Sequence, residues 1–183
     1  ILGATELEGL PERTDGSQLG GRPWWPAGRP YPTDASDAPL QFLIQINFDD
    51  APVLEGFPAR GLLQVFIGND DLYGLADGET VPAFACIYHE TTDEDPQRTF
   101  DDIAFPEDGH TPLENPSQPI PLSFQRTTMV LDATNASFEK TFPEIADSFE
   151  LTECYADINE TVPEIRLGGY PSFTQEDPRE ASG

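Results

Sequence analysis

Basic residues are what this chain has least of. Nine Lys and Arg stand against 34 Asp and Glu, Lys140 is the single lysine, and the formal charge is −25. A surface of that sign repels phosphate backbones and anionic lipid headgroups, which excludes nucleic acid and an acidic membrane as partners. No run of about 18 apolar residues occurs, so no transmembrane helix is expected. Cys86 and Cys154 are the only cysteines, too few for a disulfide framework, and both are expected as small buried hydrophobes. His89 and His110 are the only imidazoles. Together these Cys and His fit no zinc-ligand spacing, and there is neither a G-x-S-x-G elbow nor a glycine-rich phosphate loop. No metal, cofactor or catalytic residue is therefore expected. Cys86 and His89 form a C-x-x-H, but three positions apart on a strand they point to opposite faces.

What is present is a chain of 183 residues, 37% hydrophobic, with twelve Phe, five Tyr and two Trp. Each aromatic can remove roughly 150–250 Å² from water, so few residues carry the burial. Nineteen Pro and fifteen Gly call for many turns and short elements. The expected class is α+β, a mostly antiparallel β-sheet with one or two packed helices, in a single domain over 1–183. The clearest strand is 40–48, where Leu40, Phe42, Ile44, Ile46 and Phe48 share one face and Gln41, Leu43, Gln45 and Asn47 the other. Gly61 opens a second strand over 62–67, apolar on both faces except at Gln64 and so central in its sheet. Further strands are expected over 84–89, through Ile120, Leu122 and Phe124, and over 128–131. The opening, 1–18, reads as a short, loosely packed helix. Gly68-Asn69-Asp70-Asp71 reads as a solvated turn, since it lacks the spacing of a calcium loop. The acidic, Pro-rich stretch 91–119 reads as a surface excursion. Thr141 and Glu144 have capping-box spacing around Pro143, and Leu151, Cys154, Tyr155 and Ile158 recur at helical spacing. That pattern predicts one helix packed on a sheet and ended before Pro163.

Two stretches match each other. Leu19-Gly20-Gly21-Arg22-Pro23-Trp24-Trp25 and Leu167-Gly168-Gly169-Tyr170-Pro171-Ser172-Phe173 both read L-G-G-x-P-x-aromatic. Two copies, one before the first long strand and one after the helix, suggest a duplicated half-domain starting near 17 and near 165. Paired glycines allow a tight turn, and the proline then forces extended chain. Strands follow the first copy but not the second, so the second half is expected to be truncated. The chain also opens on Ile1 rather than Met, so a trimmed chain is expected.

With Ser17-Gln18-Leu19-Gly20-Gly21, Leu43-Ile44-Gln45-Ile46-Asn47-Phe48, Leu54-Glu55-Gly56-Phe57-Pro58, Gly61-Leu62-Leu63-Gln64-Val65-Phe66, Asp70-Asp71-Leu72-Tyr73-Gly74 and the stretch from Leu167 to Arg179, the chain resembles the YwqG-like family of bacterial proteins, the domain of unknown function DUF1963. The resemblance implies an internally duplicated α+β fold, a cytoplasmic bacterial protein and no established catalytic activity. Some relatives are thought to act as immunity proteins beside secreted toxins.

Two features offer a binding surface. Trp24, Trp25 and Tyr31 in a Pro-rich context can stack on a sugar or clasp a peptide, or can fill the core. Gln45 and Asn47 on the face opposite the apolar one can line a half-buried pocket or a structural network. Gly20, Gly21, Pro23, Gly168, Gly169 and Pro171 are the structural motif. The charge has two readings, adaptation of solubility or a basic partner such as a toxin. The leading functional expectation is a non-catalytic interaction domain, immunity-like, binding a basic protein. The alternatives are a hydrolase using carboxylates or a cation, and a module for small ligands or peptides.

Overall fold

A computed structural model describes residues 1–75, 83–93, 110–159 and 164–171. Its strands are β1 (Leu2–Glu6), β2 (Gln18–Leu19), β3 (Gln41–Asn47), β4 (Leu62–Ile67), β5 (Phe84–His89), β6 (Ile120–Arg126) and β7 (Arg166–Leu167). Its helices are α1 (Phe138–Thr141), α2 (Pro143–Ala146) and α3 (Phe149–Ala156). The class is α+β and the strand pairing antiparallel. The chain forms two compact units, one of Glu6–Ser123 and one of Ile1–Thr5 with Phe124–Gly183. Among the described residues no helix is long and apolar enough to cross a membrane. Most of the stretch 91–119 lies outside the described residues, as do 172–173 of the second glycine motif.

In the Glu6–Ser123 unit the strands run β5-β4-β3-β2-β6. β4 is central, between β3 and β5, as a strand apolar on both faces should be. The expected faces of β3 are corrected by a bulge. Phe42 pairs with Phe66 and Ile44 with Val65, so the β3 register shifts between Phe42 and Ile44. One extra residue reverses the alternation. Phe42 therefore shares a face with Gln45 and Asn47, opposite Phe66, Gln64 and Leu62, while Ile44 and Ile46 lie on the other side.

That shared face carries the core. Trp25, Leu40, Phe42 and Phe66 form one buried cluster, packed by Tyr31, Ala85 and Ile87. Phe66 meets the rings of Trp25 at 5.8 Å, Tyr31 at 5.5 Å and Phe42 at 5.6 Å, within the range of favourable tilted and edge-on pairs. Burial pushes the Tyr31 phenol above its usual pKa. On β5, Ala85, Ile87 and His89 turn inward and Phe84, Cys86 and Tyr88 outward. Cys86 is accordingly exposed, not buried as expected, because β5 ends the ladder and its outer face has no covering layer among the described residues.

In the other unit, Leu2 pairs with Leu167 and Gly3 with Arg166, and the Ala4 amide donates to the Ile165 carbonyl at 2.8 Å. The opening residues are thus a strand rather than the expected helix, since β7 supplies their backbone partners. No strand forms over 128–131. β6 ends at Arg126, and the next amide, of Thr127, donates to the Ile1 carbonyl. The single expected helix is three short ones. Pro143 forces Phe142 out of the helical region (φ −133°, ψ 60°), which ends α1, and an extended Ser148 separates α2 from α3. The expected capping box is replaced. Thr141 Oγ1 donates to the Ser137 carbonyl within α1, and the side-chain cap is Ser148, accepting from the Leu151 amide. The expected apolar stripe is also corrected: Leu151 and Ile158 are 50% and 55% exposed, and Cys154 is exposed. With the helix broken, the helices pack on one another instead, through Phe138, Phe142 and Tyr155, whose ring centroids lie 5.0–5.7 Å apart.

Candidate functional site

The polar row on β3 is built into a network of buried amides. Gln45 and Gln64 are opposite each other in register and are both fully buried. Gln45 Oε1 accepts from the Trp24 amide at 3.0 Å and from Gln64 Nε2 at 3.1 Å. Gln45 Nε2 donates to the carbonyls of Thr14 at 2.9 Å and Gly16 at 2.7 Å. Gln64 Nε2 also donates to the Trp24 carbonyl at 2.6 Å. Gln64 Oε1 is thereby left facing His89 Nε2 at 3.0 Å. An amide oxygen only accepts, so His89 carries a proton on Nε2. The His89 ring meets Trp24 edge-on at 5.1 Å and Trp25 at 5.7 Å. The Asn47 side chain donates to the Asp15 carbonyl and accepts from the Asp49 amide, and the Asn47 backbone amide donates to Ser17 Oγ.

The structure therefore brings Trp24, Trp25, Gln45 and Asn47 into one buried layer, with Tyr31 half-buried against Trp25 at 5.7 Å. None of the four buried side chains presents a surface to solvent, and each of their amide groups has a protein partner. What the layer does is fasten residues 14–24 to β3 and β4. Gln64, Gln18, Ser17 and His89 belong to it as well and are not among the binding residues expected from sequence. Two signals point to them: a lone Gln in a strand otherwise apolar on both faces, and a Ser-Gln pair just before the first glycines. Gln18 is nearly inaccessible, and its amide ties the Gly20 and Arg22 carbonyls together across the turn.

The two glycine motifs have like local backbones. A two-residue strand precedes each, ending in the buried Leu19 or Leu167, and all four glycines that follow have positive φ, from 56° to 85°. Space as well as torsion requires glycine. A Cβ on Gly21 would sit 2.6 Å from the Pro119 ring, and one on Gly169 2.6 Å from Ile1 Cγ2. Pro23 follows in the first copy and Pro171 in the second.

Among the described residues of the Glu6–Ser123 unit, two grooves are open to solvent. One, of ≈ 330 Å³, is polar and lined by Asp49, Arg60, Gly61 and residues 90–93. The other, of ≈ 360 Å³, runs between residues 7–13, the Gly16-Ser17 entry to β2, Asp50 and the Pro121-Leu122-Ser123 stretch of β6. Arg13 is among the lining residues, with its guanidinium nitrogens 3.3 and 3.4 Å from the Asp50 carboxylate and Nε 3.0 Å from Asp15. Burial pushes the Asp15 pKa up, but hydrogen bonds from Thr92 and Arg13 outweigh it and hold the carboxyl below its ordinary value. Among the described residues no cluster of three His, Cys, Asp or Glu is placed to hold a metal. Asp70, in the turn that follows β4, accepts from the amides of Leu72 and Gly74.

The family model described as a domain of unknown function, DUF1963, matches residues 17–182. The chain belongs to this family. The DUF1963 span takes in both glycine motifs and the amide layer, and the groove wall of residues 7–13 precedes it. No curated protein matches the chain.

Proposed function

We propose that this DUF1963 domain is a non-catalytic interaction module that binds a basic protein partner, with immunity against a cationic toxin as the specific form of that role. The observation that carries the reading is the charge, −25 from 34 acids and nine bases. A field of that size speeds encounter with a cationic surface and rejects acidic competitors. Support also comes from the residues best suited to chemistry. Gln45, Gln64 and Asn47 are occupied in holding backbone segments together, and His89 is engaged with the Gln64 side chain. The two L-G-G motifs, alike in torsion and in the strand before them, support descent of the fold from a duplicated half-domain.

The test is to mix the purified chain with the products of neighbouring toxin-like genes and measure association across a salt series. A complex at low salt that dissociates faster and forms more slowly as salt rises is expected. Failure to form any complex at low salt, with every neighbour tried, overturns the reading.

A further inference from the structure

We infer that the groove beside Leu7 and Leu10 takes a short basic segment of the partner, an apolar side chain flanked by Lys or Arg. The inference rests on the proposed binding of a basic protein and names where and how that partner is held. Leu10 is 73% exposed and Leu7 48% exposed, both line the groove, and the Leu7 amide bonds to the Pro121 carbonyl next to the buried Leu122. Two adjacent exposed leucines in so polar a chain leave apolar area whose burial against a ligand is favourable.

The charge of the rim chooses the ligand. Glu8 and Glu12 lie on the same wall and have no ion-pair partner among the described residues. Arg13 does not offset them, because its guanidinium is already shared by Asp50 and Asp15. An anionic ligand would thus meet unbalanced carboxylates. A Lys or Arg can lay its aliphatic stem on the leucines and carry its charged head to Glu8 or Glu12. The volume, ≈ 360 Å³, lies at the lower end of the roughly 300–1,000 Å³ of ligand sites, so it suits an anchor side chain and its neighbours rather than a packed helix. The walls are preformed. The Leu7 amide donates to the Pro121 carbonyl at 2.8 Å, the Leu122 amide to the Ser17 carbonyl at 2.9 Å, and Gly16 is held by Gln45. Preorganised walls lower the ordering cost of binding.

The probes are a short peptide alternating lysine and leucine and an all-lysine peptide of equal length, titrated into the chain while backbone amide NMR shifts are followed. Shifts confined to residues 7–17 and 121–123, with tighter binding of the mixed peptide, are expected. Leu10→Ser should weaken the mixed peptide about tenfold and leave the all-lysine peptide unchanged, while Glu8→Gln with Glu12→Gln should weaken both. These side chains are exposed, and a urea midpoint checks that the variants stay folded. Shifts scattered over the acidic surface, or no effect of Leu10→Ser, overturn the inference. If a basic partner protein binds the groove variants as well as the parent chain, the groove is excluded and the broader reading stands. If no basic protein or peptide binds the parent chain, both fall.

Discussion

The two units hold their chain in different ways. In Glu6–Ser123 the interior combines an aromatic cluster with an amide network, and the network's donors and acceptors are supplied from β3 and β4 to a segment with almost no regular structure of its own. In the unit of Ile1–Thr5 and Phe124–Gly183, the buried apolar residues among those described are few: Leu2, Ala4, Phe138 and Leu167. Phe149, at 79% exposed, and Leu151 face water there. The lesson is about where rigidity comes from. A loop can be as well fixed as a strand when buried side-chain amides satisfy its carbonyls, whereas short helices with one buried ring have little to hold them.

The largest expected effect tests the network. Gln45→Leu removes partners from the Trp24 amide, the Thr14 and Gly16 carbonyls and the Gln64 amide. At roughly 1–3 kcal/mol for each buried group left unsatisfied, urea unfolding should show a loss of roughly 4 kcal/mol or more. A loss within about 1 kcal/mol would mean that water replaces these bonds and that the comparison is drawn wrongly.

Next come the two cores. Phe66→Ala should cost roughly 3–5 kcal/mol, since three rings lose their common neighbour. Phe138→Ala should cost less, and in native-state hydrogen exchange its effect should stay within α1 to α3. Equal loss of protection in β3 and β4 would show that the units do not open separately.

Smaller again are the glycines. Gly21→Ala meets the rigid Pro119 ring and its backbone, while Gly169→Ala meets side-chain atoms alone, the Ile1 Cγ2 methyl and the adaptable Met129 sulfur. Both carry the roughly 1–3 kcal/mol penalty of a left-handed residue, and Gly21→Ala should be the worse by calorimetric Tm. The reverse order would remove the steric account of the first motif.

The smallest concerns Asp15. Its folded pKa is lowered, so the stabilisation is present above the ordinary carboxylate value and fades as pH falls through the lowered one. Because the group is partly exposed, the term is about 0.5–1 kcal/mol. Asp15→Asn should lower stability at neutral pH by that amount and narrow the gap to the parent chain in acid. A gap that persists unchanged at low pH would assign the effect to packing instead.

Much of the Glu6–Ser123 unit was legible because long period-two runs leave one choice of element. β4 and β5 follow the expected bounds, and β3 differs from its expected run by one residue at each end. The reversal of Phe42 was not legible, because a bulge leaves no trace in composition and is settled by which cross-strand partners meet. The glycine pairs announced their turns, and the torsions agree at both copies. The helical region was legible as helix but not as three helices. Pro143 starts a helix, as its place in the pattern predicts, yet its effect on Phe142 also ends the one before. Trp24, Trp25 and Tyr31 stood out as one feature and Gln45 and Asn47 as another, and only the fold brings the two together. Whether they face a ligand or each other depends on burial, which a strand pattern does not specify.

By itself the amino-acid order determined the class, the antiparallel strands, the turns at twin glycines and the acidic field, since these depend on local torsion, periodicity and summed charge. Only the tertiary structure decided that Gln45 and Gln64 face each other, that the tryptophans close over His89, and that Leu7 and Leu10 line an open groove. Those outcomes turn on contacts between residues far apart in the chain, where one bulge or one buried amide selects among arrangements that the local pattern allows equally.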